Sequence, residues 1–301
     1  MSGHRERIGA SRLEAIRGRV VVVGMTIEKF QEQGGRLKID DLDFEEFRRR
    51  PLDDNVLRCL GYMHDVEYQT VLYTRELLLL PAWKDPQFTP FLTLWNYEEY
   101  WHGQAIGRVL EMHGRPAHDS RLNAMRTFNR RYLVWSPLIF WTIGQTVRRF
   151  PAVHMTWGAI NEWTANAAYN RLATIAEHPV LTELLGRIMR QEGRHAGYYA
   201  SWARDMLADR RAQKVTSWFL RHEWAPVGYG DVPKLETSFA TAFLFGTDGA
   251  DELVTRIEER IDSLPGLGGL NLLRSAIVEA RAHVLAEEGV LPRHVGPGPA
   301  G

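Results

Sequence analysis

Cysteine is almost missing from this chain: Cys59 is the only one in 301 residues. That excludes an internal disulfide framework and a thiolate metal cluster, and it suits a reducing compartment. Net charge is missing too, with 37 basic and 37 acidic side chains. No broad field therefore favours nucleic acid or an anionic membrane. Long apolar runs are also lacking. The longest uncharged stretch, 132–147, has 16 residues and includes Ser, Pro, Gly, Gln and Thr. A membrane span needs ~18–20 apolar residues. The opening stretch MSGHRERIGASRLEAIRG has neither the apolar core nor the cleavage site of a signal peptide, so a cytoplasmic location is expected. Strand-like alternation is nearly absent outside GRVVVVG at 18–24.

What is present is helical periodicity and aromatic bulk. Ten Trp, ten Tyr and twelve Phe imply a large aromatic interior. Asp53 is a plausible N-cap for a helix that ends at Pro81. A second helix runs from about Thr89 to His113 and stops at Gly114-Arg115-Pro116. Residues 119–150 read as helical with an interruption at Ser136-Pro137. Pro151 suits the first turn of a helix reaching about Glu177. After a turn at His178-Pro179, a further helix runs from about Leu181 to Ala208. Beyond Arg221 a loop-like WAPVGYGDVPK leads into two or three amphipathic helices. The reading is all-α. It has an N-terminal extension over 1–52, in which no chemistry is legible, and a helical bundle over 53–221. C-terminal helices over 222–290 pack on the bundle, and a flexible tail spans 291–301.

Two Glu-x-x-His units stand out: Glu99-Tyr-Trp-His102 and Glu192-Gly-Arg-His195. One such unit arises by chance about once in a chain of this composition. Their placement is more specific. Both lie deep inside long helices, where an i, i+3 spacing puts the two side chains on one face. Each is preceded by a helix with a lone glutamate. Glu162 precedes Glu192 by 30 residues, and the midpoint falls on the turn Glu177-His178-Pro179. Glu67 precedes Glu99 by 32 residues, and the midpoint falls in the Pro-bounded turn 81–86. Residues equidistant from the turn of an antiparallel hairpin sit at one height, so each hairpin sets a Glu beside a Glu-x-x-His. Glu76 is the rival in the first hairpin and fits less well. Two such hairpins face to face bring together four carboxylates and two imidazoles. Ferritin-like di-iron and di-manganese carboxylate proteins have this arrangement. Oxygen donors with imidazole suit iron or manganese. Four glutamates would balance two divalent ions, which explains why a helix interior tolerates Glu99.

EEYWHG at 98–103 resembles the Glu-Glu-x-x-His-Gly of soluble acyl-carrier-protein desaturases, and QEGRH at 191–195 resembles that family's Asp-Glu-x-x-His. The likeness covers the four core helices, about 55–208. It implies a ferritin-like four-helix bundle with additional N- and C-terminal helices. The metal ligands it implies are Glu67, Glu99, His102, Glu162, Glu192 and His195, holding two iron ions, with manganese as the alternative. It further implies dioxygen, a ferredoxin-type electron donor and a fatty acyl chain on an acyl carrier protein. Three positions depart from the patterns. Gln191 replaces an acidic residue that helps orient a ligand histidine. Ala165, next to Thr164, stands where the desaturases carry Thr. Ile188 stands where the related arylamine N-oxygenases carry a further ligand. The rival readings are a di-iron monooxygenase acting on a small secondary-metabolism substrate and a non-catalytic ferritin-like metal-binding or storage protein. The oligomeric state, monomer or homodimer, is left open.

Other features have a structural reading beside a functional one. His64 and His154, one and two turns before Glu67 and Glu162, are seventh ligands or satisfied core histidines. Asp65 faces away from the ligands. Glu98 is either solvated or bonded to a ligand histidine. Gly103, Gly158, Ala159, Ala165, Asn166 and Ala196 leave room for substrate or allow close helix packing. Trp95, Tyr169 and Tyr199 line a pocket, relay electrons or pack the core. Arg210, Arg211, Lys214 and Arg221 form a docking face for an acidic carrier or a solvated helix end.

Overall fold

Asp53 opens the first long helix as expected, its carboxylate accepting from the Asn55 amide at 2.8 Å. The computed structural model describes residues 27–80 and 86–293, without the side chains of 71–73. Every regular element among these residues is an α-helix. In chain order they are α1 (Ile27–Gln33), α2 (Glu46–Arg49), α3 (Asp54–Leu77), α4 (Phe88–Met112), α5 (Asp119–Phe128) and α6 (Arg130–Thr146). There follow α7 (Phe150–Ala176), α8 (Pro179–Met206), α9 (Arg210–Glu223), α10 (Lys234–Phe245), α11 (Asp251–Asp262) and α12 (Leu272–Glu288). The strand-like stretch at 18–24, residues 81–85 of the first hairpin's turn and residues 294–301 of the expected tail lie outside the described residues.

The four long helices close a ring. α3 packs along α4 and α7 along α8, while α3 also meets α7 and α4 also meets α8. Local chemistry sets the tight turn between α7 and α8. Glu177 takes a left-handed conformation (φ 46°) that ends α7. His178 then caps α8 by accepting from the Leu181 amide at 3.3 Å. Helix α7 has buried residues all round its surface, because α3, α8, α9, α10 and α11 all pack against it. One continuous apolar core joins the long helices to the C-terminal ones.

The expected interruption at Ser136-Pro137 does not occur. Helix α6 runs unbroken through Pro137, and the break lies at Asn129, between α5 and α6. Proline has no N–H to give to the carbonyl four residues back. Here the Arg75 guanidinium replaces it, donating to Leu133 O at 3.0 Å and to Ser136 Oγ at 3.1 Å. The C-terminal region holds three helices, and α10 is buried over 237–245. It packs on α3 and α7 and forms a wall beside the charged interior.

Candidate metal centre

All six expected residues meet in the interior. Glu67 comes from α3, Glu99 and His102 from α4, Glu162 from α7, and Glu192 and His195 from α8. Every one is buried. They form two adjoining groups, Glu67–Glu99–His102–Glu192 and Glu99–Glu162–Glu192–His195. In each group, one donor atom per residue lies within 4.8 Å of all the others. Glu99 and Glu192 belong to both groups, and each spans them with its two oxygens. Glu99 puts Oε2 3.4 Å from His102 Nδ1 and Oε1 3.0 Å from His195 Nδ1. Glu192 puts Oε1 3.0 Å from His102 Nδ1 and Oε2 3.1 Å from His195 Nδ1. The outlying carboxylates serve one side each, Glu67 at 3.7 Å from His102 and Glu162 at 3.7 Å from His195.

The outer nitrogens of both histidines are engaged away from the centre, which leaves both Nδ1 atoms facing inward. His102 Nε2 donates to Gln191 Oε1 at 2.8 Å, and His195 Nε2 donates to Glu98 Oε2 at 2.8 Å. The residue before each Glu-x-x-His thus holds the histidine of the other unit. Glu98 is in turn fixed by the Gly35 amide at 2.7 Å, by Arg194 at 2.8 Å and by Gln191 Nε2 at 3.3 Å. Burial pushes the Glu98 carboxyl up, but His195, the Gly35 amide and Arg194 outweigh it and hold the group ionised.

The six groups are charged in a pattern that a cation would rearrange. Burial, reinforced by Glu99, raises Glu67 far above its ordinary value; burial and Glu192 do the same to Glu162. Burial also opposes ionisation of Glu99 and Glu192, but bonds from neighbouring carboxyls and histidines win. They hold Glu99 at about 2 and Glu192 low. Both histidines are raised by the carboxylates around them despite burial. Without metal, burial and mutual repulsion thus favour a proton on Glu67 and on Glu162, and the surrounding carboxylates favour protonated histidines. The residues fit a pair of divalent cations in one further respect. His102 Nδ1 and Glu192 Oε1, buried and 3.0 Å apart, attract by charge but meet at an angle poor for a hydrogen bond. Buried polar atoms so weakly bonded are costly, and a cation bound by both would satisfy each of them. The donor set, carboxylate and imidazole without thiolate, suits iron or manganese.

The remaining candidates separate cleanly. Glu76 lies outside both groups and accepts from Ser136 Oγ at 2.6 Å. His64 is a core histidine whose Nε2 accepts from the His118 amide at 2.9 Å. Asp65 faces away and pairs with Arg121 through two 2.6 Å bonds. His154 packs edge-on to Tyr199 and Phe88, and burial lowers its imidazole to about 4. Gly103 and Gly158 admit aromatic rings rather than substrate: a Cβ at either would strike Tyr68 or Tyr199. Asn166 donates to Met189 O at 2.8 Å.

Tyr169 and Trp95, read in the sequence as pocket-lining, electron-relaying or packing residues, bond ligand carboxylates, and Phe30 joins them without any signal in the sequence. The Tyr169 hydroxyl donates to Glu67 Oε1, and Trp95 Nε1 donates to Glu162 Oε1 at 3.0 Å. Phe30 stacks on His195 with ring centroids 5.7 Å apart. The N-terminal extension therefore does contribute to the centre, through Phe30 and Gly35. No local pattern marks either residue, because both act through contacts distant in sequence.

Glu67 and Tyr169 also border a cavity of about 40 Å³, room for about three waters. Its walls are mainly apolar: Val66, Ala165, Ala168, Val227, Ala240 and Leu244 contribute from α3, α7, α10 and the loop before α10. Thr164 lines it too, with its hydroxyl already committed to Ile160 O at 2.8 Å. Comparison with known protein families, curated proteins and solved structures returns no match.

Proposed function

We propose that this chain is an oxygen-dependent, non-haem di-iron oxidoreductase on a ferritin-like core, acting on an aliphatic C–H bond. The observation that carries this reading is the spanning geometry of Glu99 and Glu192, each with one oxygen toward either histidine. That geometry makes two adjoining sites rather than one. Bound iron supplies the ability to reduce dioxygen and attack an unactivated C–H bond.

The chain's own residues supply position and an apolar setting. Gln191 and Glu98 hold the Nε2–H of each histidine and so keep both Nδ1 atoms directed at the carboxylates. Tyr169 fixes Glu67 at the cavity, and Trp95 fixes Glu162 on the other side. The walls from α3, α7 and α10 give the substrate a mainly apolar setting beside Glu67. First choice of reaction is desaturation of a carrier-bound fatty acyl chain, supported by the mainly apolar lining of the cavity. Dioxygen would take two electrons and two protons from the substrate's two C–H bonds, two electrons from a ferredoxin-type donor and two protons from solvent, leaving as two waters. The small volume, about 40 Å³, favours a second reading, a monooxygenase acting on a short substrate.

Anaerobic loading with iron(II) is expected to bind about two ions per chain. Oxygen uptake with a reducing system is then compared across acyl-carrier-protein substrates and small apolar molecules. Uptake and an alkene product with the carrier-bound chain support the first reading; a hydroxylated small product supports the second. Metal binding without substrate-dependent uptake would make the chain a non-catalytic metal protein. No metal bound at all would end the proposal.

A further inference from the structure

Helix α6 sits on the body by one narrow stripe and turns its bulk outward. Only Ser136 and Gly144 of its residues are buried. Phe140, Ile143 and Val147, half-buried against the core, fall on the same side. The side turned away from the body carries Val134, Trp135, Leu138, Ile139 and Trp141, with Tyr132 at its edge and Arg131, Thr142, Gln145 and Thr146 on the same arc. The six apolar and aromatic residues are between 42% and 67% exposed. Contiguous exposed apolar surface of this kind marks an interaction site. Arginine dominates the flanking sequence, with Arg121 and Arg149 already paired to Asp65 and Asp209. Between Ser120 and Phe150 the sequence holds six arginines and no acidic residue. Arg130 and Arg131 open the helix and Arg148 and Arg149 follow it. Arg126, Arg130, Arg131 and Arg148 are exposed and make no ion pair among the described residues.

We infer that the outward face of α6 lies flat on an anionic lipid surface, with Trp135 and Trp141 at headgroup level and the arginines on lipid phosphates. A surface helix with a broad apolar face, interfacial Trp and flanking Arg has the chemistry for this. The attraction is local, since the whole chain is neutral. No helix of the described residues is long and apolar enough to cross a membrane, so α6 rests on the surface and does not span it. Two other occupants fit less well. A second copy paired across a two-fold axis would set arginines against arginines, with no acid on the face to offset them. A grooved protein partner reads one stripe at i, i+3, i+4 and i+7, whereas Val134, Trp135, Leu138, Ile139 and Trp141 spread across two turns at several angles rather than along one stripe. The inference does not depend on the metal centre.

The test is flotation of the full chain with phosphatidylglycerol–phosphatidylcholine vesicles and with pure phosphatidylcholine vesicles. Binding is expected to the anionic vesicles only, and to weaken as salt rises. Changing Arg130 or Arg131 to Ala should weaken it roughly fivefold each. The double change Trp135→Glu, Ile139→Glu should abolish it. Both positions are exposed, so far-UV circular dichroism should be unchanged. Native tryptophan emission should shift to the blue on vesicle addition, and less so in Trp135→Phe, Trp141→Phe. Three outcomes would overturn the inference: no flotation with anionic vesicles, flotation indifferent to the α6 changes, or sedimentation equilibrium showing a dimer that Trp135→Glu, Ile139→Glu splits into monomers.

Discussion

His102 and His195 differ in what holds their outer nitrogen. His195 gives its Nε2–H to a carboxylate, Glu98, while His102 gives its own to the neutral amide oxygen of Gln191. A carboxylate partner makes a ligand imidazole more basic, and such partners are worth about 10–100-fold in metal affinity. The side built on His195 is therefore expected to bind metal more tightly than the side built on His102. Gln191→Leu should weaken only the looser site, by about 10–100-fold. Gln191→Glu keeps an acceptor for His102 but sets a carboxylate oxygen where Nε2 donated to Glu98 and Gly35 O, so it should recover only part of the parent affinity. Competition against a chelator, with manganese(II) as the probe, measures both. Two equal sites in the parent, unmoved by Gln191→Leu, would refute this role for Gln191. Glu67 and Glu76 make a second contrast on one helix. Glu67→Ala should lower metal stoichiometry, because its carboxylate faces His102. Glu76→Ala should leave stoichiometry alone and cost stability, because its carboxylate serves Ser136 and Arg75. Metal analysis with thermal melts separates the two, and the reverse pattern would mean the first hairpin is out of register.

At the level of single elements, α6 depends on a side chain from another helix. Leu133 O has lost its usual donor to Pro137 and takes one from Arg75. Arg75→Ala is expected to destabilise the fold by about 1–3 kcal/mol. In a Pro137→Ala background the backbone N–H returns, so the cost should shrink by about 1 kcal/mol. A double-mutant cycle in urea reads this coupling, and strict additivity would show that Arg75 does not act through Leu133. The same helix shows where the sequence misleads. Ser136-Pro137 looks like a break because the compensating donor lies 61 residues away. The core was far more legible. Helical rise is constant, so Glu67 and Glu99, or Glu162 and Glu192, can be placed by counting from a turn. Gly35, Phe30, Trp95 and Tyr169 could not be placed that way. Their contacts with the centre depend on side-chain direction and on how segments cross, which periodicity does not encode.

For the whole molecule, the charge state of the centre links stability, pH and metal. Both histidines have folded values well above the ordinary 6.5, and Glu67 and Glu162 well above 4.5. Groups raised on folding stabilise the protein fully below their unfolded values and lose that contribution as pH rises through their folded ones. The histidine share is thus complete below pH 6.5 and lost above it; the share of the two glutamic acids begins to fall above pH 4.5. Glu99 and Glu192 work in the opposite direction. Depressed on folding, they contribute fully above 4.5, and Glu99 loses its share as pH falls toward about 2. Metal-free protein should therefore melt at lower temperature as pH is raised from neutral, since deprotonating the centre leaves four carboxylates facing one another. Two divalent ions would displace protons held by the imidazoles and carboxyls, and the four glutamates would balance their charge. Loaded protein should then hold its melting temperature over the same alkaline range. Loading near neutral pH in weak buffer should release protons. Indicator-dye titration counts them, and melts at stepped pH with and without manganese(II) test the rest. Release of no protons, or parallel pH curves for the free and loaded protein, would mean that the metal binds somewhere other than these six side chains.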